Sequence, residues 1–324
     1  MSKWHCIFGR LMRLLLVAAS LGSATAWAQF PGRPVRLIVP FPPGGSADLI
    51  ARSVAQAMGQ GLGQPIIVEN RAGADGMIAG EAVMKAAPDG YTLMFATNTP
   101  FNAALVMHKN VPYDPLVDFT PIGEIGNFGF FVFVNNSVPA KTLRQLFDFA
   151  RANPGKLAYG SGNSTSIVAT ARLAREAGVN MVHVPYKGDA PMTLDLLAGR
   201  IQVAVATGTL MPHAKDGNLR ILATLLPTRA ALLPDVPTLP EAGASAMPMK
   251  SWAGLFGPAK MPPAVVDRLA KELVRALAQP DVREQLEKLA FAPQSSSPGE
   301  LGELLRDQMD IWRKAGKEAG IATQ

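Results

Sequence analysis

Short apolar runs alternate with amphipathic stretches along most of this sequence, and this alternation restricts the fold more than any other feature. Residues 35–39 form an apolar run, and in the helical pattern at 47–58 Ile50, Val54 and Met58 share one face. Further strand-like runs occupy 66–68, 91–96, 130–134, 157–159, 181–184, 203–206 and 219–223, and helical patterns at 79–86, 142–151, 166–177 and 191–197 separate most of them. The pattern predicts an α/β protein with open, largely parallel sheets and helices on both faces.

The C-terminal part of the chain is helical in pattern from residue 262 onward. Ser297 and Glu300 have capping-box spacing, with Pro298 at the first helical position. Because these helices need a sheet to cover, we expect a discontinuous first domain at 29–128 plus 249–324. A second domain, 129–248, is then inserted. The Pro-rich stretch at 227–262 is expected to be part surface connection and part returning hinge, with the crossover at 251–256.

The N-terminus has the features of a secretory signal peptide. Lys3, Arg10 and Arg13 lie before and at the start of an apolar run, and an Ala-Trp-Ala sequence ends at Ala28. The run is too short for a membrane anchor, which needs about 20 apolar residues. The only cysteine, Cys6, lies before the apolar run, whereas a lipoprotein signal needs one after it. We therefore expect residues 1–28 to be cleaved near Ala28 and the product to be periplasmic.

Composition excludes several classes of protein. Hydrophobic residues make up 48% and charged residues 17%, which is typical of a globular chain. The formal charge of +6 falls to +3 without residues 1–28, because 28 basic residues then face 25 acidic ones. This small excess, without basic clusters, does not indicate nucleic-acid binding. It is compatible with an anionic ligand.

A glycine-rich segment at 40–48 follows a predicted strand and opens a predicted helix. Gly44 and Gly45 allow a sharp turn, and the free amides of a helix start attract an anion such as a carboxylate. Ser46 is able to cap the helix or bond a ligand. The segment matches neither the dinucleotide fingerprint nor the P-loop. A plain strand-to-helix turn remains an equally good interpretation of this segment alone.

A second junction of the same kind, at 159–166, strengthens the interpretation as an anion site. It is rich in glycine, hydroxyl and amide groups, and it lies in the other predicted domain. Two such turns at the carboxyl ends of their strands are expected to face each other across a cleft. Other polar residues at predicted strand ends are candidate ligand contacts or ordinary loop residues: Thr97, Asn98, Lys187 and Thr207. Phe41 and Phe101 are candidates for an apolar wall, although a core role is favoured for Phe101.

Signatures of enzymes and metal sites are lacking. After residue 28 the histidines are His108, His183 and His213, and their spacing fits no metal motif. The sequence contains no Gly-x-Ser-x-Gly elbow, and no nucleophile–base pair is evident. We therefore expect no catalytic residues, no bound metal and no cofactor.

The sequence resembles the tripartite tricarboxylate transporter substrate-binding family, also called the Bug receptors. Matching segments occur in order along the chain: 33–41 with 43–45, Val-Glu-Asn-Arg at 68–71, Pro-Asp-Gly-Tyr-Thr-Leu at 88–93, Val-Pro-Tyr-Lys-Gly at 184–188 and Leu-Pro-Asp-Val-Pro-Thr at 233–238. The resemblance implies a type II periplasmic-binding-protein-like fold, with two doubly wound domains, a hinge and a central cleft. It also implies that two loops bind a carboxylate through Phe41, Gly45, Ser46, Ala47 and Asp48, and through Ser161, Asn163, Ser164 and Thr165.

Two departures from the family pattern leave the ligand open. Many relatives have Gly-Gly-Gly-Thr-Asp where this chain has Gly-Gly-Ser-Ala-Asp at 44–48, and the loop at 160–165 is shorter than usual. The leading hypothesis is a monomeric periplasmic receptor that delivers a small carboxylate (a di- or tricarboxylate, amino acid or aromatic acid) to a tripartite tricarboxylate-type membrane permease. The alternatives are a ligand sensor for a two-component signalling system, or an exported hydrolase or transferase.

Overall fold

A computed structural model describes residues 30–230 and 232–320 of the 324-residue chain. In this part of the chain the strands form two sheets. The first sheet contains β1 (Val35–Val39), β2 (Ile66–Asn70), β3 (Thr92–Thr97), β4 (Phe119–Phe128), β10 (Trp252–Pro258) and β11 (Phe291–Pro293). They lie in the order β11, β4, β10, β3, β1, β2.

The second sheet is built from the middle of the chain. It contains β5 (Phe130–Asn135), β6 (Ala158–Ser161), β7 (Val182–Pro185), β8 (Val203–Thr207) and β9 (Leu219–Thr224), in the order β7, β6, β8, β5, β9. The segment after β9 adds to this edge, because the amide of Thr224 donates to Pro237 O and the amide of Leu239 donates to Thr224 O. Part of the Pro-rich stretch therefore extends the sheet.

Helices fill most connections between the strands. Their bounds are α1 (Ser46–Leu62), α2 (Met77–Met84), α3 (Ala104–Met107), α4 (Leu143–Ala152), α5 (Ser164–Glu176), α6 (Asp189–Leu197), α7 (Met211–Lys215), α8 (Pro263–Leu277), α9 (Pro280–Lys288) and α10 (Pro298–Ala319). The predicted capping box is present, since Ser297 accepts from the amide of Glu300 and Glu300 accepts from the amide of Ser297. Helix α10 packs on β4 of the first sheet and also on α5.

Both sheets are mixed, so the prediction of largely parallel sheets was wrong. Strand β1 is parallel to β2 and β3, and β6 is parallel to β7 and β8. The other strand pairs are antiparallel. Strand β10 is antiparallel to β3 and β4, β11 is antiparallel to β4, and β5 is antiparallel to β8 and β9.

The chain passes between the sheets at Gly129 and at the segment before β10. The amide of Gly129 donates to Ala290 O at 2.7 Å, and a Cβ at this glycine would lie 2.7 Å from the same oxygen. The amide of Phe128 donates to Ser251 O at 2.8 Å, so the outgoing and returning segments are joined side by side. Strand β10 is thus the returning crossover expected at 251–256. The domain boundaries at 128/129 and 248/249 remain predictions.

An aromatic cluster lies under the carboxyl end of β3. Phe101 is fully buried and packs against Tyr113, Phe119, Trp252 and Phe256 at ring-centroid distances of 4.6–6.3 Å. Phe101 is therefore a core residue. Its packing supports the turn that presents Thr97 and Asn98.

The predicted signal peptide, residues 1–28, and Cys6 lie outside the described residues. Among the helices of 30–230 and 232–320, none combines the length and the apolar character that a bilayer-spanning segment requires.

Candidate functional site

A cavity lies between the two sheets, where the carboxyl ends of β1, β3, β6 and β8 meet. It holds about 610 Å³ of empty space, part of which opens to solvent. Helices α1, α5 and α6 all begin at this cavity. Its lining consists of Phe41, Pro42, Pro43, Gly45, Ser46, Ala47, Thr97, Asn98, Thr99, Phe128, Phe130, Gly162, Asn163, Thr165, Lys187, Gly188, Asp189, Ala190, Pro191 and Thr207.

Ten of the thirteen residues predicted for the site line this cavity. They are Phe41, Gly45, Ser46, Ala47, Thr97, Asn98, Asn163, Thr165, Lys187 and Thr207. The two glycine-rich turns, although they belong to different sheets, therefore open on the same space. Asp48, Ser161 and Ser164 do not line it, and each has a partner elsewhere.

Asp48 stabilises the first glycine-rich turn, at 40–48, and does not line the cavity. Its carboxylate accepts hydrogen bonds from the amide of Gly44 at 3.0 Å, from Asn70 Nδ2 at 2.9 Å and from Arg52 Nε at 3.0 Å. Burial alone would raise the pKa of Asp48, but the bonds from Arg52, Gly44 and Asn70 outweigh it, and the pKa lies below its ordinary value. Gly44 has φ of 82°, which favours glycine. The ionised carboxylate thus holds the turn in shape.

Ser46 is the polar group of the first turn that lacks a protein partner. It is the first residue of α1 and is 5% exposed. Its Oγ is buried and forms no hydrogen bond within the described residues, and Ser46 is one of the residues that line the cavity. A buried hydroxyl without a partner costs about 1–3 kcal/mol, so this atom is set to bond a molecule in the cavity.

The second glycine-rich turn, at 159–166, is held in place by Asn163, the N-cap of α5. Asn163 Oδ1 accepts from the amide of Ser166 at 3.0 Å. The other first-turn amides of α5 have no acceptor within the helix, as at any helix start. Ser164 is fully buried, and its Oγ donates to Asp75 Oδ1 at 3.4 Å. Ser164 thus belongs to a contact between the sheets, behind the cavity wall.

A second contact joins the sheets within the cavity itself. Asn98 follows β3 of the first sheet, and its Nδ2 donates to Thr165 Oγ1 at 2.7 Å. Both side chains are buried, with 3% and 2% exposed. The two turns are therefore tied together at one point.

Ser161 and His183 form a serine–histidine pair that sequence reasoning did not find. Ser161 Oγ and His183 Nε2 are 2.6 Å apart, and the His183 ring stacks on Tyr159 with centroids 4.8 Å apart. Burial lowers the pKa of His183. However, Ser161 is 1% exposed and does not line the cavity, so its hydroxyl is not presented to a molecule bound there. The pair fastens β6 to β7.

Asp189 is the acidic residue of the cavity lining, and sequence reasoning missed it. Thr207 Oγ1 donates to Asp189 Oδ2 at 2.9 Å, and Asn163 Nδ2 donates to Oδ1 at 3.3 Å. Burial raises the pKa of Asp189, and the bonds from Thr207 and Asn163 oppose this shift without cancelling it. The helical pattern was placed at 191–197, but α6 begins at Asp189. The signal in the sequence was Gly188 before an acidic residue, four residues after a predicted strand ends at residue 184.

No group of three or more His, Cys, Asp or Glu side chains in 30–230 and 232–320 is arranged to hold a metal ion.

Two sheets that meet at a cavity lined by the carboxyl ends of their strands define a two-lobed solute-binding protein of the type II periplasmic kind. Residues 50–321 match the model of the tripartite tricarboxylate transporter family receptors, and the chain belongs to this family. The resemblance inferred from the sequence motifs is thus confirmed, as is the fold class. Because members of this family are substrate-binding receptors, the protein is not an enzyme.

Relatives and solved structures agree with this placement. The chain is 35% identical over 314 residues to the UPF0065 protein in the tcbD-tcbE intergenic region of Pseudomonas sp. strain P51, covering 94% of this chain and 93% of the relative. It is 30% identical over 313 residues to BugT of Bordetella pertussis, covering 95% of each. The R. palustris Rpa4515 structure with adipate superposes with a TM-score of 0.88 at 31% identity, covering 91% of this chain and 100% of that one. MatC from Rhodopseudomonas palustris with bound malate gives 0.83 at 29% identity, with 88% and 99% covered.

Proposed function

We propose that this protein captures a small carboxylate in the periplasm, between its two sheets, through the helix starts of α1 and α5. The observation that carries the proposal is Ser46, which lines the cavity and whose buried hydroxyl has no partner among the described residues. It requires an acceptor or donor from a bound molecule.

The rest of the site favours an anion at this position. The first-turn amides of α1 and α5 lack intrahelical acceptors, and each helix start carries partial positive charge. A carboxylate there gains about 0.5–1.5 kcal/mol per hydrogen bond and about 0.3–1 kcal/mol from each helix dipole. Phe41, Phe128 and Phe130 also line the cavity, and their apolar rings strengthen these interactions by excluding water.

Related receptors support the class of ligand. One structure of similar fold holds adipate and another holds malate, and both molecules are small carboxylates. We infer that the protein closes on its ligand, with the contact between Asn98 and Thr165 joining the two sheets in the closed state. We further infer that it then delivers the ligand to a membrane permease of the tripartite tricarboxylate type. We expect it to act as a monomer.

The experiment is a thermal-shift titration of the full chain, expressed with its own N-terminus and purified after export. The panel contains mono-, di- and tricarboxylates, amino acids and aromatic acids, each beside the carboxamide that lacks its carboxylate charge. At 100 times the Kd, binding adds about 2.7 kcal/mol to the free energy of unfolding, which raises Tm by several degrees. The amides are expected to give no shift. If no carboxylate raises Tm at saturating concentration, the proposal is wrong.

A further inference from the structure

Asp189 is an acidic side chain in a cavity that otherwise favours anions. It occupies the first turn of helix α6. Its carboxylate lies against the glycine-rich turn at 159–166, since a Cβ on Gly162 would be 2.4 Å from Asp189 Oδ1. The two bonds from Thr207 and Asn163 fix both carboxylate oxygens. The group is therefore held in one position at the cavity wall.

The partners of this carboxylate are neutral. Thr207 contributes a hydroxyl and Asn163 an amide, and Asp189 forms no salt bridge with any Lys, Arg or His among the described residues. Lys187 also lines the cavity but does not pair with it. Removing a carboxylate from water without a counter-charge is costly, so a proton or a positive group from a ligand would stabilise it.

Asp189 also lies close to the start of α5, where we propose that the carboxylate binds. Asn163 links the two, because its Oδ1 caps α5 while its Nδ2 holds Asp189 Oδ1. The Asp189 carboxylate, which attracts a cation, and the start of α5, which attracts an anion, are thus separated by the side chain of Asn163. An α-amino acid likewise carries its carboxylate and its ammonium group close together, on one carbon atom.

We propose that the ligand is an α-amino acid, with its carboxylate at the starts of α1 and α5 and its ammonium group at Asp189. This inference rests on the proposed function and narrows the class of ligand. A dicarboxylate would place a second negative charge beside Asp189. A zwitterion supplies the missing counter-charge and leaves Phe41, Phe128 and Phe130 to contact its side chain.

The test uses pairs of ligands that differ only in the α-amino group, titrated by calorimetry into the full chain after export. The pairs are glutamate and glutarate, 2-aminoadipate and adipate, leucine and 4-methylpentanoate, and phenylalanine and 3-phenylpropanoate. In at least one pair the amino acid is expected to bind about tenfold more tightly or better. This comparison needs no variant, so it stands even if a substitution at residue 189 impairs folding.

Asp189→Asn identifies the group responsible. It is expected to weaken binding of the amino acid about tenfold or more and to leave the desamino acid unchanged or tighter. Asp195→Asn is the matched control, since Asp195 lies on the same helix, is held by Tyr186 and Arg200, and does not line the cavity. It is expected to leave both affinities unchanged.

Three results would overturn the inference while leaving the proposed function intact. One is equal or tighter binding of the desamino member in every pair. Another is tighter binding of a dicarboxylate as the pH falls, because Asp189 would then act as a protonated donor. The third is a D189N variant that keeps its preference for the amino acid. If no member of any pair binds while another carboxylate of the panel raises Tm, the inference also fails; if no carboxylate raises Tm, the proposed function itself fails.

Discussion

Asn98 Nδ2 lies 2.7 Å from Thr165 Oγ1, and this hydrogen bond joins the end of β3 in the first sheet to the first turn of α5 in the second. Both residues line the cavity and are almost completely buried. The contact between the two sheets and the lining of the cavity thus share this pair of side chains.

A double-mutant cycle measures this bond. We expect Asn98→Ala and Thr165→Val to couple by about 0.5–1.5 kcal/mol in the free energy of unfolding, because each removes the same neutral hydrogen bond. Urea unfolding of the unliganded wild type, both single variants and the double variant gives the coupling. Additive effects would mean that the two side chains do not interact in the folded protein.

Ser46→Ala separates ligand binding from stability. Since Ser46 Oγ has no partner among the described residues, its removal is expected to leave the free energy of unfolding unchanged or slightly higher. Affinity for the carboxylate is expected to fall about 2- to 12-fold with the loss of one hydrogen bond. Thermal unfolding and calorimetry give the two quantities.

Thr170→Val is the matched control for Ser46→Ala. Thr170 Oγ1 is also buried and without a partner in the described part of the chain, but Thr170 does not line the cavity. We expect no change in affinity for this variant. An equal loss of affinity in the two variants would show that Ser46 does not contact the ligand.

Asp48 makes stability depend on pH. Its pKa is lower in the folded state, so the carboxylate stabilises the fold above its unfolded pKa of about 3.9, and this contribution is lost as the pH falls through the folded value. Asp48→Asn is expected to lower the free energy of unfolding by about 1–3 kcal/mol at pH 7, with the difference from wild type shrinking in acid. Urea unfolding at several pH values checks this.

Asp148→Asn is the control for Asp48→Asn. Asp148 pairs with Arg151 on α4, and its side chain is 56% exposed. Exposed pairs contribute about 0–1 kcal/mol, so we expect little change at any pH. A constant difference between D48N and wild type down to acid pH would contradict the role given to the ionised Asp48.

Gly162→Ala tests how closely the glycine-rich turn at 159–166 approaches helix α6. The added Cβ would lie 2.4 Å from Asp189 Oδ1 and 2.6 Å from the carbonyl carbon of Gly188, and backbone atoms do not give way easily. We expect lower thermal stability, by about 1–3 kcal/mol, together with weaker ligand binding. Gly299→Ala, in the first turn of α10 with no atom within 4 Å of its added Cβ, is expected to be harmless. Equal behaviour of the two variants would refute this packing.

Hydrophobic periodicity was enough to predict most of the α/β elements, because buried strands and amphipathic helices leave strong local patterns. Strand β4 escaped prediction because Pro121, Gly123 and Gly126 interrupt it, and because its pairing with β10 contains irregularities in register. The mixed direction of the sheets also could not be read from local pattern, since it follows from where the chain crosses at Gly129 and returns at β10.

The site was predictable where a glycine-rich turn follows a strand. Ser46 and Thr165 were found in this way, and they line the cavity. The sequence could not show that Asp48 and Ser161 point to partners other than a ligand. Side-chain direction is set by Arg52, one helical turn after Asp48, and by Asn70 and His183 on other strands. Phe128 and Phe130 were missed as cavity walls because their apolar character equally fits a core.

A crystal structure with the tightest-binding ligand of the carboxylate panel tests most directly whether the starts of α1 and α5 bind the same carboxylate group. We expect one carboxylate group within hydrogen-bonding distance, about 2.7–3.2 Å, of donors from both the α1 start at Ser46 and Ala47 and the α5 start at Thr165. A ligand whose carboxylate contacts only one of these helix starts, or that lies outside the cavity between the sheets, would contradict the proposed site.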